Sequence, residues 1–388
     1  MSAHALLSPS AAHRWLTCTP SARLEADYPE TTSDAAEEGT LAHALGEYKL
    51  RLQYNCGEPA TPEELDGIRR NKWYSDDMNG YATAYADFVS DRFAEAVKVT
   101  PDAVLFVETR LDLRFALPDA FGTADAVIIA DGLLQIIDLK YGKGVAVSAE
   151  RNKQMMIYAL GALHTYSGVY AVDRVQMYIY QPRLDSCTSY TMTAAELEAW
   201  AREELQPLAN KAYKGEGELV TGDHCRFCKH RVHCQALARQ AVSLAVEDFK
   251  PEEAAEVTIE QVLKVAETVT GYINAVKEYA LAEALKGRKW EGFKLVEGRS
   301  TRRVTDEDAL YLKLHEAYAE ETGKLLNTED FFNYKMKGIG ELEKLVGKEL
   351  FKRVAAPYLA KPAGAPALVP VTDKRPEYSV AAAEFKDC

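Results

Sequence analysis

The chain has 388 residues, 47% of them hydrophobic, which is enough for two domains or for one large domain with an appended part. No apolar run approaches the roughly 18 to 20 residues of a membrane helix, and the first residues have neither a basic leader nor an extended apolar core. We therefore expect a cytoplasmic protein without a membrane partner. The net charge of -13 argues against a protein that coats nucleic acid through its overall field.

The first hundred residues are predicted to be helical. An irregular short helix around "HRWLTCTPS" contains Cys18. Helical spacing over "SDAAEEGTLAHALGEYKLRLQY" predicts a helix from about residue 34 to 54, on which His43 and Glu47 share one face because they are four residues apart. A second long helix is predicted over "YSDDMNGYATAYADFVSDRFAEAVKV".

The pattern then changes from helical spacing to short β-branched runs. "AVLFVETRLDL", "TADAVIIA" and "LLQIIDLK" are separated by turn-forming residues and predict a three-stranded meander. "SAERNKQMMIYALGALHTY" returns to helical spacing, with Ser148 as the predicted N-cap, and "RVQMYIYQPRL" predicts another strand. This order indicates a mixed α/β core with at least one crossover connection.

The second half of the chain is predicted to be mainly helical. A helix near 193 to 212 precedes a cysteine-rich segment, "GDHCRFCKHRVHCQALARQ", and helical patterns dominate from about residue 251. The last stretch is rich in Pro and Ala, which is typical of an extended arm or a partly disordered tail. We expect a core over residues 1–240, a mainly helical part over 241–355 and an arm or tail over 356–388.

Three charged residues lie at the ends of apolar runs that are predicted to be buried. Asp125 and Asp138 would lie on neighbouring antiparallel strands, and a buried pair of carboxylates repels itself unless a cation intervenes. Two carboxylates and the backbone carbonyl of Leu139 suit Mg²⁺ or Mn²⁺. Lys140 shares a face with Asp138 and could orient a water or stabilise charge on a phosphate. The alternative is that Lys140 simply pairs with one of the two acids.

These residues stand in an ordered set of motifs that resembles a known family. "EGTLAHALGE", "GTADAV", "IIDLKYGKG" and "QMMIYALGAL" look like the motifs of the PD-(D/E)XK nuclease superfamily in its RecB-like branch. The resemblance implies a restriction-endonuclease-like core, a mixed sheet flanked by helices. It implies that metal is bound by His43, Asp125 and Asp138, that Lys140 serves the attacking water, and that DNA is contacted by Gln154 and Tyr158.

Each of these residues also has a structural alternative. His43 could be a core histidine, and Gln154 and Tyr158 could be surface residues of a helix packed on the sheet. Glu108, on the strand before Asp125, is a further candidate acid of the site. Arg110 or Arg114 could equally be its partner.

The cysteine-rich segment has the spacing of a metal site. Cys225, Cys228 and Cys234 form a C-x2-C-x5-C pattern, and zinc with histidine as a further ligand is one reading; the candidates are His224, His230 and His233. The family resemblance gives another. In AddB-type helicase-nucleases and the CRISPR adaptation nucleases, one cysteine before the nuclease core joins three after it to hold a [4Fe-4S] cluster. Cys18 stands in the corresponding place.

A basic stretch in the C-terminal part combines cations with aromatic residues. "GRKWEGFKLVEGRSTRRV" contains Trp290 and Phe293 near Arg302 and Arg303, a mixture that can stack bases and bind phosphates, or that can form a packed hairpin. "GAPALVPVTDKRPEYS" resembles the tail of phage-encoded members of this nuclease group. That resemblance implies a phage or prophage origin among DNA replication or recombination genes, in a bacterial host cell.

Together, these residues and the family resemblance predict a deoxyribonuclease dependent on Mg²⁺ or Mn²⁺, of exonuclease type, and the resemblance implies an iron-sulfur cluster. The alternative is a non-catalytic DNA-binding or assembly protein that keeps the nuclease fold. DNA is the expected partner, together with a single-strand-binding or recombination protein. The sequence does not set the oligomeric state, the polarity of cleavage or the preference for single or double strands.

Overall fold

The structure is a computed structural model that describes residues 5–29, 32–54, 56–144, 146–246, 256–298, 303–331, 336–360, 364–370 and 376–378. The chain forms two compact units, residues 1–272 and 273–388. A unit defined by spatial proximity is not the same as an independently folding domain. The organisation into a core to residue 240, a helical part and an arm therefore stays a prediction.

In the part of the chain that is described, ten helices begin in unit 1, and the tenth continues past residue 272. They are α1 Ala12–Thr17, α2 Ser21–Ala26, α3 Asp34–Gln53, α4 Pro62–Arg69, α5 Asp76–Val99, α6 Lys153–Tyr166, α7 Ala194–Trp200, α8 Gln206–Lys214, α9 Gln235–Val246 and α10 Glu256–Leu285. A π-helical turn, Ala201–Leu205, joins α7 to α8.

Five strands form one mixed sheet in unit 1. They are β1 Val104–Asp112, β2 Phe121–Ala130, β3 Leu133–Leu139, β4 Arg174–Gln181 and β5 Ser186–Thr193, in that spatial order. Neighbouring strands are antiparallel except for β3 and β4, which are parallel and are connected through α6. The predicted meander is confirmed as β1, β2 and β3. The predicted crossover is confirmed as β3-α6-β4.

Two hydrophobic clusters cover the two faces of this sheet. Helix α6 packs on one face, where Val127, Ile136 and Met177 are fully buried. Helix α5 packs on the other face, with Ile128 and Ile137. The β-branched residues of β2 and β3 are buried from both sides, which explains their nearly continuous apolar sequence.

Local capping fixes where the two helices nearest the site begin. Helix α3 begins after Ser33, whose Oγ accepts a hydrogen bond from the Ala36 amide at 3.2 Å. The predicted N-cap of α6, Ser148, is wrong. The side chain of Asn152 caps that helix by accepting from the Met155 amide at 3.2 Å, whereas Ser148 closes a local turn by accepting from the Glu150 amide.

Unit 2 contains short helices and two small two-stranded sheets. Its helices after α10 are α11 Glu307–Thr322, α12 Thr328–Phe331, α13 Ile339–Val346 and α14 Lys348–Ala355. Strand β6 Phe293–Gly298 pairs with β9 Gly364–Pro370, and β7 Arg303–Val304 pairs with β8 Leu359–Ala360. The described part of the Pro/Ala-rich stretch is therefore extended and paired.

The protein is a mixed α/β protein with a five-stranded mixed sheet and a mostly helical C-terminal part, as predicted. None of the helices in the described ranges has the length and apolar character needed to cross a membrane.

Candidate metal centre

Asp125 and Asp138 lie opposite one another where β2 and β3 leave their ladder. The register pairs Ala126 with Ile137, so the next residues outward are the two acids. The Leu139 amide donates to Asp125 Oδ2 at 2.7 Å. The side chains of Asp125 and Asp138 are only 12% and 2% exposed, so both acids are held out of bulk water.

His43 and Glu108 complete an acidic cluster around Asp125. His43 Nδ1, from α3, lies 3.2 Å from Asp125 Oδ2 and 4.0 Å from Glu108 Oε1. One potential ligand atom from each of these three residues lies within 4.8 Å of the other two. A nitrogen and two carboxylate oxygens thus converge at one place, as the ligands of a divalent cation do.

Glu108 reaches this cluster through an unusual backbone conformation. Its φ of 46° lies in the left-handed region, which costs a non-glycine residue about 1–2 kcal/mol. Phe106 stacks on Tyr166 of α6, and Leu111 belongs to the same hydrophobic cluster, although residues five apart on a regular strand face opposite sides. The turn of the backbone at Glu108 accounts for this change of face. Strain of this kind concentrates at functional sites.

Asp138 is held by a network from β3 and α6. Lys140 Nζ lies 2.7 Å from Asp138 Oδ2 and donates to Gln154 Oε1 at 3.1 Å. Gln154 Nε2 donates to Asp138 Oδ1 at 3.2 Å and to the Tyr158 hydroxyl at 3.3 Å. The network orients Lys140 and leaves Asp138 beside the three-residue group, not among its closest members.

The electrostatics of the two aspartates differ although both are buried. For Asp138, burial and the charge of Asp125 raise the pKa. The charge of Lys140 lowers it by less, so the pKa is raised overall. For Asp125, burial also raises the pKa, but the imidazolium of His43, Lys140 and the Leu139 amide outweigh it, and the pKa is lowered. Burial lowers the pKa of Lys140, but Asp138 and Asp125 outweigh that effect and keep the ammonium charged.

His43 and Glu108 hold protons that a cation would replace. Burial lowers the pKa of His43, but the attraction of Asp125 and Asp138 exceeds it and raises the pKa to about 9. Burial and the charge of Asp125 raise the pKa of Glu108 to about 7. Without a metal, the cluster is therefore neutralised partly by protons, and the residues present fit a divalent cation as the alternative source of positive charge.

Most of the residues that the sequence singled out come together here. These are His43, Glu108, Asp125, Asp138, Lys140, Gln154 and Tyr158. Glu108 does not pair with Arg114, which instead binds Asp112. The Leu139 carbonyl as a metal ligand stays a prediction. The ion pair between Lys140 and Asp138 is the pairing expected if Lys140 has only a structural role. The same ion pair also places the ammonium at the acidic cluster.

Tyr85, which lies on α5, was not singled out by any sequence pattern. Its hydroxyl is buried and has no hydrogen-bond partner among the described residues. Burial raises its pKa, and the charges of Asp125, Asp138 and Glu108 raise it further, so the phenol faces the acidic cluster as a neutral donor. A tyrosine in a helical apolar pattern is indistinguishable from a core residue, which is why the pattern did not reveal it.

The predicted cysteine ligands also converge. Cys18 and Cys225 are 7% and 8% exposed, and α1 packs against the 3-10 turn Asp223–Phe227. Burial raises the pKa of Cys225, and the charges of Cys234 and Cys18 raise it further. Burial and the charge of Glu25 raise the pKa of Cys228 to about 12. Thiols with raised pKa values stay protonated unless a nearby positive charge stabilises the thiolate. A bound metal supplies such a charge.

Polar contacts fasten the N-terminal helices to the cysteine segment independently of the thiols. Glu25 accepts a hydrogen bond from the Lys229 amide at 2.6 Å and pairs with Arg14 at 2.6 Å. The Tyr28 hydroxyl lies 3.2 Å from His230 Nδ1. The segment around Cys18 is therefore positioned beside the cysteine knuckle by the fold itself.

The spacing of the ligand atoms bears on which metal would fit. Sulfur ligands of one tetrahedral zinc ion, each about 2.3 Å from the metal, lie roughly 4 Å apart. Within the described ranges, no three cysteine or histidine ligand atoms from this segment lie within 4.8 Å of one another. His224 Nε2 also contacts the Val220 carbonyl at 2.9 Å.

The basic stretch of the C-terminal part includes two predicted DNA contacts, Arg302 and Arg303. Arg302 and the side chain of Arg303 lie outside the described residues. Trp290 donates to the Ala280 carbonyl at 2.9 Å, and Arg288 covers its ring at 4.1 Å. Phe293 is half exposed.

The fold and the site define a mixed α/β protein with an acidic cluster at the margin of its sheet and a separate cluster of cysteines. The chain belongs to the family described as protein of unknown function (DUF2800), whose model matches residues 4–376. The crystal structure of SSO0001 is similar over 56% of this chain and 95% of that chain, at 15% sequence identity and a TM-score of 0.23. A likeness that distant supports no inference about the activity.

Proposed function

We propose that this protein is a metal-dependent DNA nuclease of the PD-(D/E)XK superfamily, in its RecB-like branch. One observation above all supports this: ligand atoms of His43, Glu108 and Asp125 converge within 4.8 Å, next to a buried Asp138 that is paired with Lys140. The proposed biological setting, phage or prophage DNA replication or recombination in a bacterial cell, rests on the resemblance of the C-terminal tail.

In this proposal the residues have separate roles in hydrolysis. His43, Asp125 and Glu108, with Asp138 beside them, would hold Mg²⁺ or Mn²⁺, which when bound neutralises charge on the scissile phosphate and makes a water more acidic. The Lys140 ammonium, fixed by Asp138 and Gln154, is placed to orient the attacking water. Gln154 restrains the lysine and is itself held by the buried Tyr158, and a contact of these two residues with DNA is proposed from the family resemblance.

The cysteine cluster is proposed to hold a [4Fe-4S] group through Cys18, Cys225, Cys228 and Cys234. When bound, this group would supply the positive charge that stabilises the four thiolates. Its role would be structural, because it ties the N-terminal helices to the segment that follows the core. Zinc is the less favoured occupant, because the ligand atoms are more widely spaced than one ion requires.

The decisive experiment is degradation of end-labelled DNA. Linear and circular substrates, single and double stranded, are incubated with Mg²⁺ or Mn²⁺ and with wild type, Asp138→Ala or Lys140→Met. We expect metal-dependent cleavage by the wild type and a loss of at least about a hundredfold in both variants. Preference for linear over circular DNA would show exonuclease action.

The matched control is Asp131→Ala, which removes an exposed acid from the turn between β2 and β3, at the far end of the same strands. It should cleave like the wild type. Cleavage that survives undiminished in both Asp138→Ala and Lys140→Met would contradict the assignment of these residues to the catalytic site. A wild type with a loaded cysteine cluster that cuts no substrate would contradict the proposal and favour a non-catalytic DNA-binding protein.

A further inference from the structure

The hairpin of β1 and β2 continues past the acidic cluster and leaves one of its faces uncovered. On its other face a Cβ at Gly122 would lie 2.7 Å from Tyr158 Cε1, so α6 packs closely there, and Leu111 and Ala124 are buried. The uncovered residues, called the hairpin face below, are Arg110, Asp112, Phe121 and Thr123.

The hairpin face is continuous with the candidate catalytic residues. The register pairs Arg110 with Thr123 and Asp112 with Phe121. Two residues inward along each strand from the first pair are Glu108 and Asp125, which contact His43 of α3 on the side of the sheet opposite α6. With a rise of about 3.4 Å per residue, Arg110 lies about 7 Å along β1 from Glu108. A strand bound at the acids would next meet Arg110.

The hairpin face combines an aromatic ring, that of Phe121, with an arginine, Arg110, that could bind a phosphate. The Arg110 guanidinium lies over the Phe121 ring, 3.9 Å from its centroid. Arg114 neutralises Asp112 through a bidentate pair, whereas Arg110 has no carboxylate partner in the described part of the chain. A planar guanidinium on an aromatic ring offers a flat surface to a base and a positive charge to a phosphate.

We propose that the hairpin face binds the single-stranded segment of DNA next to the scissile phosphate, with Arg110 and Phe121 as the stacking platform. This inference rests on the proposed nuclease function and deepens it. The occupant is a single strand because only unpaired bases expose the faces that stack on such a platform. In a protein with a net charge of -13, an unpaired arginine beside the acidic cluster also provides local attraction for the phosphate backbone.

Binding of a fluorescent single-stranded thymidine oligonucleotide tests the proposal. It is measured in the Asp138→Asn background, which prevents cleavage, with Arg110→Ala, Arg110→Lys and Phe121→Leu added in turn. We expect each to weaken binding at least about fivefold, because each removes stacking. Arg110→Ala should also reduce the slope of log affinity against log salt by about 0.7, whereas Arg110→Lys and Phe121→Leu should retain it.

The matched control is Arg202→Ala, which removes an exposed arginine from the π-helical turn, away from the hairpin. It should bind like its parent. The proposal is overturned if Arg110→Ala and Phe121→Leu bind like this control, if the parent binds no single strand, or if only duplex binding is weakened. Retained thermal unfolding profiles exclude misfolding, and Phe121→Leu keeps an apolar side chain at the position.

Failure of this inference is distinguishable from failure of the nuclease proposal. Hydrolysis of thymidine 5′-(p-nitrophenyl phosphate), a diester small enough to occupy the acidic cluster alone, tests the chemistry without the hairpin face. If the wild type hydrolyses it and Asp138→Ala does not, the nuclease stands whatever the binding experiment gives. The gain in kcat/KM from this diester to an oligonucleotide should be smaller in Arg110→Ala and Phe121→Leu than in the wild type.

Discussion

His43 makes metal binding depend on pH in a defined direction. Burial lowers its pKa, but Asp125 and Asp138 outweigh burial and raise it to about 9. A ligand nitrogen must be unprotonated, so below that pH the metal has to displace a proton. Affinity for Mn²⁺ should therefore rise with pH, by about tenfold per unit between the pKa values of Glu108 and His43, and level off above about 9.

Calorimetric titration of the metal-free protein with Mn²⁺ measures this dependence, and buffers of different ionisation enthalpy count the released proton. His43→Gln, which cannot be protonated, should bind more weakly and lose most of the slope above about pH 7, where Glu108 is ionised. A wild-type affinity that does not change over this range would show that the imidazole is not a ligand.

At the scale of elements, Gly161 allows α6 to pack closely against β1 and the residues that follow it. A Cβ on Gly161 would lie 2.7 Å from Leu113 Cδ2 and 3.2 Å from Leu111 Cβ. Gly161→Ala should destabilise unit 1, since overpacking costs about 1–3 kcal/mol and exceeds the gain of up to about 1 kcal/mol from alanine in a helix. Because α6 also carries Gln154 and Tyr158, DNA cleavage should fall as well.

Urea unfolding measures the free energy of unfolding of this variant and of a control, Gly80→Ala. Gly80 is exposed on α5, and a Cβ there would have no other atom within 4 Å. That control should gain about 0.5–1 kcal/mol from helix propensity. If both substitutions stabilise the protein equally, α6 does not pack on β1 as closely as described.

Elements with strong periodicity were predictable from the sequence, and those decided by tertiary packing were not. β-branched runs bounded by turns predicted β1 to β3, and the Asp-Gly turn brought Asp125 opposite Asp138. Ser186–Thr193 was missed because an edge strand of hydroxyl-bearing residues lacks an apolar signal. Ser148 was chosen as a cap because its side chain can close either a helix or a local turn.

The site was predictable as far as residue types and spacing define it. The two aspartates, Lys140 and Gln154 were predictable from motifs. The position of Glu108 beside Asp125 depends on a left-handed backbone conformation within β1, which no local sequence pattern encodes. Its left-handed φ lies between Phe106 and Leu111, which pack in the same hydrophobic cluster although they are five residues apart. Tyr85 escaped prediction for a related reason, because its proximity to the acids is created only when α5 packs on the sheet.

At the scale of the whole molecule, Cys18 and the cysteines near residue 230 are far apart in sequence but adjacent in unit 1. A group that joins them closes a long loop and restricts the unfolded chain, so it stabilises the folded state. Cys18→Ser should therefore lose iron, visible absorbance and, on the order of several kcal/mol, stability of unit 1. Contacts such as the hydrogen bond between Glu25 and Lys229 remain, so the segment should stay partly docked.

Iron and zinc content, the visible spectrum and thermal unfolding of anaerobically purified protein check this prediction. The matched control is Cys187→Ser, an exposed thiol on β5, which should retain metal, colour and unfolding temperature. If the wild type contains stoichiometric zinc and no iron, the cluster is wrong and the wide spacing of the thiols must contract around a single ion. If Cys18→Ser keeps its iron, the N-terminal cysteine is not a ligand, and contacts such as those of Glu25, Tyr28 and α1 hold its segment in place.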